Sequence, residues 1–498
     1  MKFIGLRLCE HDSNVTYSDG KNIKYYKPER DYQIKHFGYC DLSSWIKIIK
    51  KWKIDPKKVD AIGIVLDCFR YPNIKCNEKK LYEVIDVPIF KLLGFECPIF
   101  RIDHHYAHSL SDWPLGIDAK NKFVFDGFGD DFITHSIFCE NKKILEHSLS
   151  EYPSLGRILG DVGKSFGLKG NSLDHAGKIM AMKAYGKFSG DIDYEKYNLK
   201  TLFDLWDKDN FLTSKDEKNV TFQKIFDHVY YCHNVTEKIY VDHFKNNSQP
   251  NDTISYSGGI AQNTVINSKI KKERPNFHVL PHCNDEGLTL GIVEFLRIYF
   301  DQEPFDNSGF PYWQTDEVPE TIVSDYTIKK TAELLSQRKI VGWYQGKGEL
   351  GPRALGNRSI LMDPTIYDGK QIINEKVKNR EFFRPFGASI LEEKTSEYFD
   401  WNDKSPYMLY VMDILDKKSF PSITHADGTC RIQTVSSELT NYYSVINEFE
   451  KITGIPMLLN TSLNNGGKPI AGSINDAMGL FANSDLDVLV IGDLIYEK

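Results

Sequence analysis

No apolar run in the 498 residues approaches the ~20 that a membrane-crossing helix needs, so a spanning protein is not expected. The opening stretch, MKFIGLRLCEHD, is broken at Arg7 and Glu10 and lacks the apolar core of a secretory leader. CxxC spacing is absent. The nine cysteines are odd in number and scattered, which argues against a disulfide framework or zinc ribbon and for reduced thiols in a cytoplasmic protein. There is no HExxH, so a zinc protease is not indicated, and neither the glycine turn at 126–130 nor that at 257–263 matches a Walker loop or GxGxxG. Positive charge is not in excess: 62 Lys and Arg against 69 Asp and Glu leave a formal net charge of −7 and no global attraction to nucleic acid. No short-period repeat is visible. With 41% hydrophobic, 26% charged and 13% aromatic residues, the composition excludes disorder, collagen and coiled coil.

What is present is a soluble α/β chain, long enough for two to four domains at about 150 residues each. Strand-like runs occur at Phe3 to Leu8, Val15 to Tyr17, Asp60 to Leu66 and Lys122 to Phe125, with a hairpin signal at Asp19-Gly20. Between them Trp45, Ile48, Ile49 and Trp52 recur at helical spacing. Asp191 to Asn251 is more polar and helical. Asp301 to Thr327, with Pro304, Pro311 and Pro319, is the linker candidate. It divides the chain into expected domains at 1–320 and 328–498.

Five segments carry candidate chemistry. In Asp103-His104-His105-Tyr106-Ala107-His108, the histidines at 104 and 108 lie four apart, so a helix projects both from one face, with Cβ atoms about 6 Å apart. That suits a metal site. A helix start with hydrogen-bonded histidines is the alternative. Glycine turns at Asp126-Gly127-Phe128-Gly129 and Ser257-Gly258-Gly259 allow close approach of the backbone to a phosphate, or are plain tight turns. Asp285, in the polar turn Pro281 to Gly287, is a candidate carboxylate ligand. The run Gly346 to Ser359, followed by Lys376, Lys378, Arg380, Arg384 and Arg431, is rich in glycine and cations, as an anion cradle would be. Arg384 sits among Phe382, Phe383, Pro385, Phe386 and Gly387, and a partly buried arginine there needs an anionic partner.

These motifs identify a resemblance. HDS at 11–13, DHHYAH, DGFG, GKIMAMKAYG, SGGIAQN, NDEG, GELGPRALGNRSIL, VKNREFFRPFG, DGTCRIQTV and NTSLN run nearly end to end. Together they resemble the O-carbamoyltransferases of nodulation factors and of antibiotics such as tobramycin and the cephamycins. The resemblance implies an actin-like, metal-binding N-terminal domain. It implies a C-terminal α/β domain similar to threonylcarbamoyl-adenylate synthase. The second domain would make carbamoyl-adenylate from carbamoyl phosphate and ATP, with Mg2+. The first would pass the carbamoyl group to an acceptor hydroxyl. By motif position, Arg353, Lys378, Arg384 and Arg431 would bind carbamoyl phosphate and the phosphates of ATP, with Asn460 and Ser462 beside them. His104, His108, Asp126 and Asp285 would hold a divalent metal, iron in the family. His11 would be the general base or its orienter, at an ordinary pKa of about 6.5. Asp12, Gly127, Gly129, Gly258, Gly259 and Asn263 would line the substrate. Two departures stand out: a shortened 191–251 region, which bears on acceptor recognition, and an extra glycine in Gly346-Lys347-Gly348.

Two other readings compete: a fused tRNA threonylcarbamoylation enzyme, and a non-enzymatic actin-like nucleotide-dependent scaffold. The acceptor is a metabolite or sugar hydroxyl, or the hydroxymethyl group of a modified pyrimidine such as 5-hydroxymethylcytosine in DNA. For DNA, the lysine-rich stretches Lys47 to Lys53 and Lys269 to Arg274 would grip phosphates; solvated helix faces are the alternative. The expected location is the cytoplasm of a bacterial or phage-infected cell, with a homodimer left open and no membrane partner.

Overall fold

The computed structural model describes residues 1–8, 11–66, 71, 73–77, 79–207 and 222–498. Glu10 of the N-terminal reading, Cys9, Cys68 and residues 208–221 of the polar stretch lie outside them. Two compact units result. Met1–Gly156, Ser248–Gln262 and Arg274–Asp316 make the first; Arg157–Asn247, Asn263–Glu273 and Glu317–Lys498 make the second.

The first unit holds two sheets. One contains β1 (Phe3–Arg7), β2 (Asn14–Ser18), β3 (Ile23–Tyr26), β4 (Ala61–Val65), β5 (Tyr82–Ile85) and β6 (Ile99–Ile102), in the order β3-β2-β1-β4-β6-β5. The other contains β7 (Asn121–Phe125), β8 (Ile133–Cys139), β9 (Lys142–Ser148), β10 (Ile254–Ser257) and β11 (Phe277–Val279), in the order β11-β10-β7-β8-β9. Each begins with an antiparallel three-strand meander, β1-β2-β3 or β7-β8-β9. Each then adds two parallel strands on the far side of its first strand, β4 and β6 or β10 and β11. This duplicated order is the actin-like architecture.

Period-two alternation divides β1 between two cores. Ile4 and Leu6 pack with Trp45, Ile48 and Ile49, the residues whose spacing predicts a helix, formed as Ile46–Lys51. Phe3 faces the opposite way, onto Leu288, Ile292 and Val293 of the helix Leu288–Tyr299. That helix crosses the helix His104–Leu110 at Gly291, where a Cβ would lie 1.8 Å from the carbonyl oxygen of Ala107. Only glycine permits that approach.

The second unit is built on a mixed sheet of β12 (Val341–Tyr344), β13 (Arg358–Met362), β14 (Gly387–Leu391), β15 (Val411–Asp413), β16 (Thr429–Val435), β17 (Met457–Ser462), β18 (Val488–Ile491) and β19 (Leu494–Glu497). Their order is β15-β16-β14-β17-β13-β12-β18-β19. Helices Asp325–Ser336 and Thr440–Thr453 cover it, burying Leu334, Leu335, Val445, Ile446 and Phe449 with Val341, Trp343 and Val490. The helices His175–Lys183, Phe222–Asn246 and Thr264–Glu273 belong to the same unit. No described helix is long and apolar enough to cross a membrane. Cys40, Cys97, Cys139, Cys232, Cys283 and Cys430 are free, but Cys76 is disulfide-bonded, which corrects the expectation of reduced thiols throughout.

Candidate active site

In the first unit four side chains converge. His104 and His108 come from one face of the helix His104–Leu110, Asp126 from the end of β7, and Asp285 from the turn before Leu288–Tyr299. All four are buried, and one ligand atom of each lies within 4.8 Å of the others. His104 Nε2 is 3.0 Å from Asp126 Oδ2 and 3.3 Å from Asp285 Oδ1. His108 Nε2 is 3.5 and 3.4 Å from the same two oxygens. Each carboxylate has its other oxygen fixed from behind. Asp126 Oδ1 accepts the amides of Gly127 (2.7 Å) and Gly259 (2.9 Å), and Asp285 Oδ2 accepts Arg7 Nη2 (3.1 Å). Such outer contacts orient ligands toward a metal.

Burial opposes charge on both acids, and the charge of Asp285 also raises Asp126. The nearby histidines, and for Asp285 the charge of Arg7, outweigh this and hold Asp126 and Asp285 below the usual carboxylate range. His104 is raised well above an ordinary imidazole, because the two acids overcome its burial. Both ring nitrogens of His108 are buried and have no hydrogen-bond partner among the described residues. Two imidazoles and two carboxylates, one imidazole nitrogen unbonded and facing the others, fit a divalent first-row metal.

The sequence reading missed Asp130, which sets the approach of the histidine helix. Its Oδ2 accepts the amide of His104 at 3.0 Å and Arg101 Nη2 at 2.5 Å. Burial, with Asp103 adding to it, pushes its carboxyl up to about 7 against the pull of Arg101 and His104. The DGFGD run was its only sequence signal.

His11 borders the quartet. Its ring is 43% exposed, with Nδ1 3.0 Å from Asp12 Oδ2 and 3.8 Å from Asp285 Oδ2. Burial lowers its affinity for a proton, but the Asp12 hydrogen bond and the Asp285 charge raise it above the usual value. A second acidic cluster, Asp12, Glu29 and His36, has ligand-like spacing, but the ammonium of Lys27 already sits among its acids.

The glycine turns are placed unequally. Gly127 and Gly259 direct their amides at Asp126, while Gly258, at φ +90°, donates to Cys283 O at 2.6 Å. Gly129 lies against His104 and His105, where a Cβ would meet His105 at 2.7 Å. Asn263 belongs to the second unit, where it caps Thr264–Glu273 through the Ile266 amide and donates to His233 Nε2 at 3.1 Å.

The second unit collects the cations. Buried Glu349 accepts the amides of Leu355, Asn357 and Arg358 at 2.8, 3.1 and 3.1 Å, shaping the loop that carries Arg353. Arg358, by contrast, is a clamp: it stacks 3.6 Å over Tyr344 and donates to Gly346 O and Glu317 O. Arg431 is held well below the usual guanidinium range by burial and by the charges of Arg353 and Arg384. Arg380, which the sequence reading named but did not assign, is held down by burial, Arg384 and Arg431. Four guanidiniums therefore repel one another in a confined space. Glu381 is 4.0 Å from Arg384, but it is shared with Lys178 at 2.6 Å. Lys378 is buried and donates to Ser462 Oγ (3.2 Å) and Asn464 Oδ1 (2.5 Å). Asn460 Nδ2 links Ala354 O in the Arg353 loop to Ser389 Oγ on β14. A guanidinium cluster of this kind is a site for a multiply charged anion.

The chain thus joins an actin-like unit with a histidine–carboxylate quartet to a mixed α/β unit that gathers arginines. The family described as Carbamoyltransferase N-terminus matches residues 73–293, and Carbamoyltransferase C-terminus matches residues 332–498. Nodulation protein NolO of Bradyrhizobium diazoefficiens is 30% identical over 80% of this chain and 79% of that protein. NolNO of Sinorhizobium fredii is 37% identical over 49% of this chain but only 40% of its own length. The 3'-hydroxymethylcephem-O-carbamoyltransferase of Amycolatopsis lactamdurans is 30% identical over 44% of each. Among solved structures, HypF of T. kodakarensis has a TM-score of 0.39 at 13% identity, covering 60% of this chain and 48% of HypF. The chain belongs to the carbamoyltransferase family of the nodulation and antibiotic O-carbamoyltransferases.

Proposed function

We propose that the second unit makes carbamoyl-adenylate from carbamoyl phosphate and ATP, and that the first unit uses it to carbamoylate an acceptor hydroxyl. The observation that carries this reading is the gathering of Arg380, Arg384 and Arg431 with Arg353, where Arg431 Nε is buried without a hydrogen-bond partner among the described residues and Glu381 near Arg384 is shared with Lys178, an excess of positive charge that phosphate groups would offset. In it, Arg353, Arg384 and Arg431 bind the phosphates of carbamoyl phosphate and Mg2+-ATP, while Lys378 orders Ser462. Water first cleaves the bond between carbamoyl carbon and phosphate oxygen, giving carbamate and phosphate; a carbamate oxygen then attacks the α-phosphorus of ATP, and the bond to the departing pyrophosphate breaks as the adenylate forms.

A divalent metal held by His104, His108, Asp126 and Asp285, iron in this proposal, would supply Lewis acidity to the adenylate phosphate. The remaining work falls to the chain's own groups. Asp12 receives the Nδ1–H of His11 and so leaves Nε2 basic. His11 Nε2 takes the proton of the acceptor hydroxyl as its oxygen attacks the carbamoyl carbon. The bond from that carbon to the phosphate oxygen breaks, and AMP departs.

The acceptor in this reading is a small sugar or alcohol. A DNA hydroxymethylpyrimidine is the second reading, supported by the exposed lysines 47, 50, 51 and 53. The other lysine-rich stretch gives less support: Lys271 is buried and pairs with Asp403 at 2.7 Å, and buried Arg274 donates to Ser248. Mass spectrometry after supplying carbamoyl phosphate, ATP and either glycosides or 5-hydroxymethylcytosine DNA tests both. A carbamate on one acceptor class supports that class; none on any acceptor contradicts the proposal.

A further inference from the structure

Three carboxylates surround the ammonium of Lys27: Glu286 Oε1 at 2.6 Å, Glu29 Oε2 at 3.1 Å and Asp12 Oδ1 at 3.4 Å. The Lys27 side chain is 5% exposed. A cation removed from water is unfavourable unless paired. Here Glu286, Glu29 and Asp12 outweigh burial and hold Lys27 charged, and its charge in turn holds Asp12 ionised.

The position matters more than the strength. Asp12 is the partner of His11, and Glu286 directly follows Asp285, so one ammonium joins the turn bearing the base to the turn bearing a metal-site carboxylate. Asn14 makes a second tie between these turns, donating to Asp12 O at 2.7 Å and Asp285 O at 2.9 Å. Asp12 has φ +57°, a left-handed conformation that costs a non-glycine residue about 1–2 kcal/mol, so contacts must maintain it. Its carboxylate also faces His36 Nδ1, at 3.1 Å from Oδ2. Two imidazoles and one ammonium therefore share this carboxylate: His11 meets Oδ2, Lys27 meets Oδ1, and His36 Nδ1 lies 3.1–3.2 Å from both.

We infer that Lys27 is a positioning residue for carbamoyl transfer: it fixes the Asp12 carboxylate so that His11 keeps Nδ1–H and presents Nε2 bare. This rests on the proposed role of His11 as base, and the test separates the two. The full chain is labelled with 15N-histidine, and the His11 signals are assigned by their loss in His11→Gln. The wild type is expected to show His11 protonated at Nδ1 and bare at Nε2. Lys27→Met should change that tautomer and lower carbamate-ester formation about 10- to 100-fold at an unchanged acceptor KM, the scale expected for a misplaced group. Lys27→Arg should restore both. If Lys27→Met does not fold, Lys27→Met/Glu29→Gln, which removes one surplus negative charge, replaces it. An unchanged His11 tautomer in the folded variant overturns the positioning role. A changed tautomer with ester formation as fast as in the wild type overturns His11 as base and leaves the structural tie standing.

Discussion

His11 Nδ1 lies 3.8 Å from Asp285 Oδ2, so an imidazole open to solvent and a buried metal-site carboxylate share one wall of the first unit's site. Arg7 holds that carboxylate oxygen from the other side at 3.1 Å. The proposed base therefore stands beside the metal quartet and outside it. Substitutions at the two places should have different consequences.

The quartet is expected to bind a divalent metal. Elemental analysis of a His104→Ala/His108→Ala double variant should show its loss, because two nitrogen ligands are removed and two buried carboxylates remain uncompensated. His11→Ala should retain it. Full metal content in the double variant counts against this site.

The helix crossing at Gly291 leaves no room for a methyl group, since its Cβ would stand 1.8 Å from Ala107 O. Gly291→Ala should destabilise the fold by about 1–3 kcal/mol, the range for overpacking. Metal retention should weaken with it, because Ala107 lies in the helix that carries both histidines. Urea unfolding unchanged from the wild type would contradict this packing.

Burial holds His282 at about 4, with the Ser111 carbonyl 2.9 Å from its Nε2. In the unfolded chain it titrates near 6.5. Between those values the unfolded state binds more protons, so stability should fall as pH drops from about 6.5 to about 4, by up to about 1.4 kcal/mol per pH unit. Denaturant titrations at pH 7 and pH 5 should show the fall, and His282→Gln should reduce it. Equal slopes in both proteins would remove His282 as a cause.

If DNA is the acceptor, binding should weaken steeply with salt, since each neutralised phosphate releases counterions. For a neutral sugar or alcohol, affinity should be flat. Titrating 5-hydroxymethylcytosine DNA at low and moderate salt distinguishes the two.

The local part of this architecture is readable from sequence. The i, i+4 histidines, the Asp19-Gly20 hairpin and the glycine-rich cation loop all depend on near neighbours. What depends on distant partners is not. Lys27 meets Glu286 across 259 positions, and the amide of His104 meets Asp130 across 26. Arg353 in a loop and Arg358 at the start of β13 sit five apart, yet one joins the arginine cluster and the other clamps carbonyls while stacked on Tyr344. Only the β12 register that places Tyr344 opposite Arg358 separates them. The duplicated sheet is hidden for a similar reason: strands of three to seven residues need only alternation, and unlike sequences satisfy it equally.

The central claim is that adenylate formation and carbamoyl transfer use different residues, and parallel assays of pyrophosphate and carbamate ester test it most directly. Arg384 is partly open, so Arg384→Ala removes a phosphate contact with less disturbance than Lys378→Ala, which also removes the ammonium that donates to Ser462 and Asn464. Either variant should lose carbamoyl-phosphate-dependent pyrophosphate release together with ester, by about 10²–10³-fold, the scale of a lost donor aimed at developing charge. His11→Ala should lose ester while pyrophosphate release continues. Pyrophosphate release abolished equally by His11→Ala and Arg384→Ala would contradict two separate sites and require a single composite one.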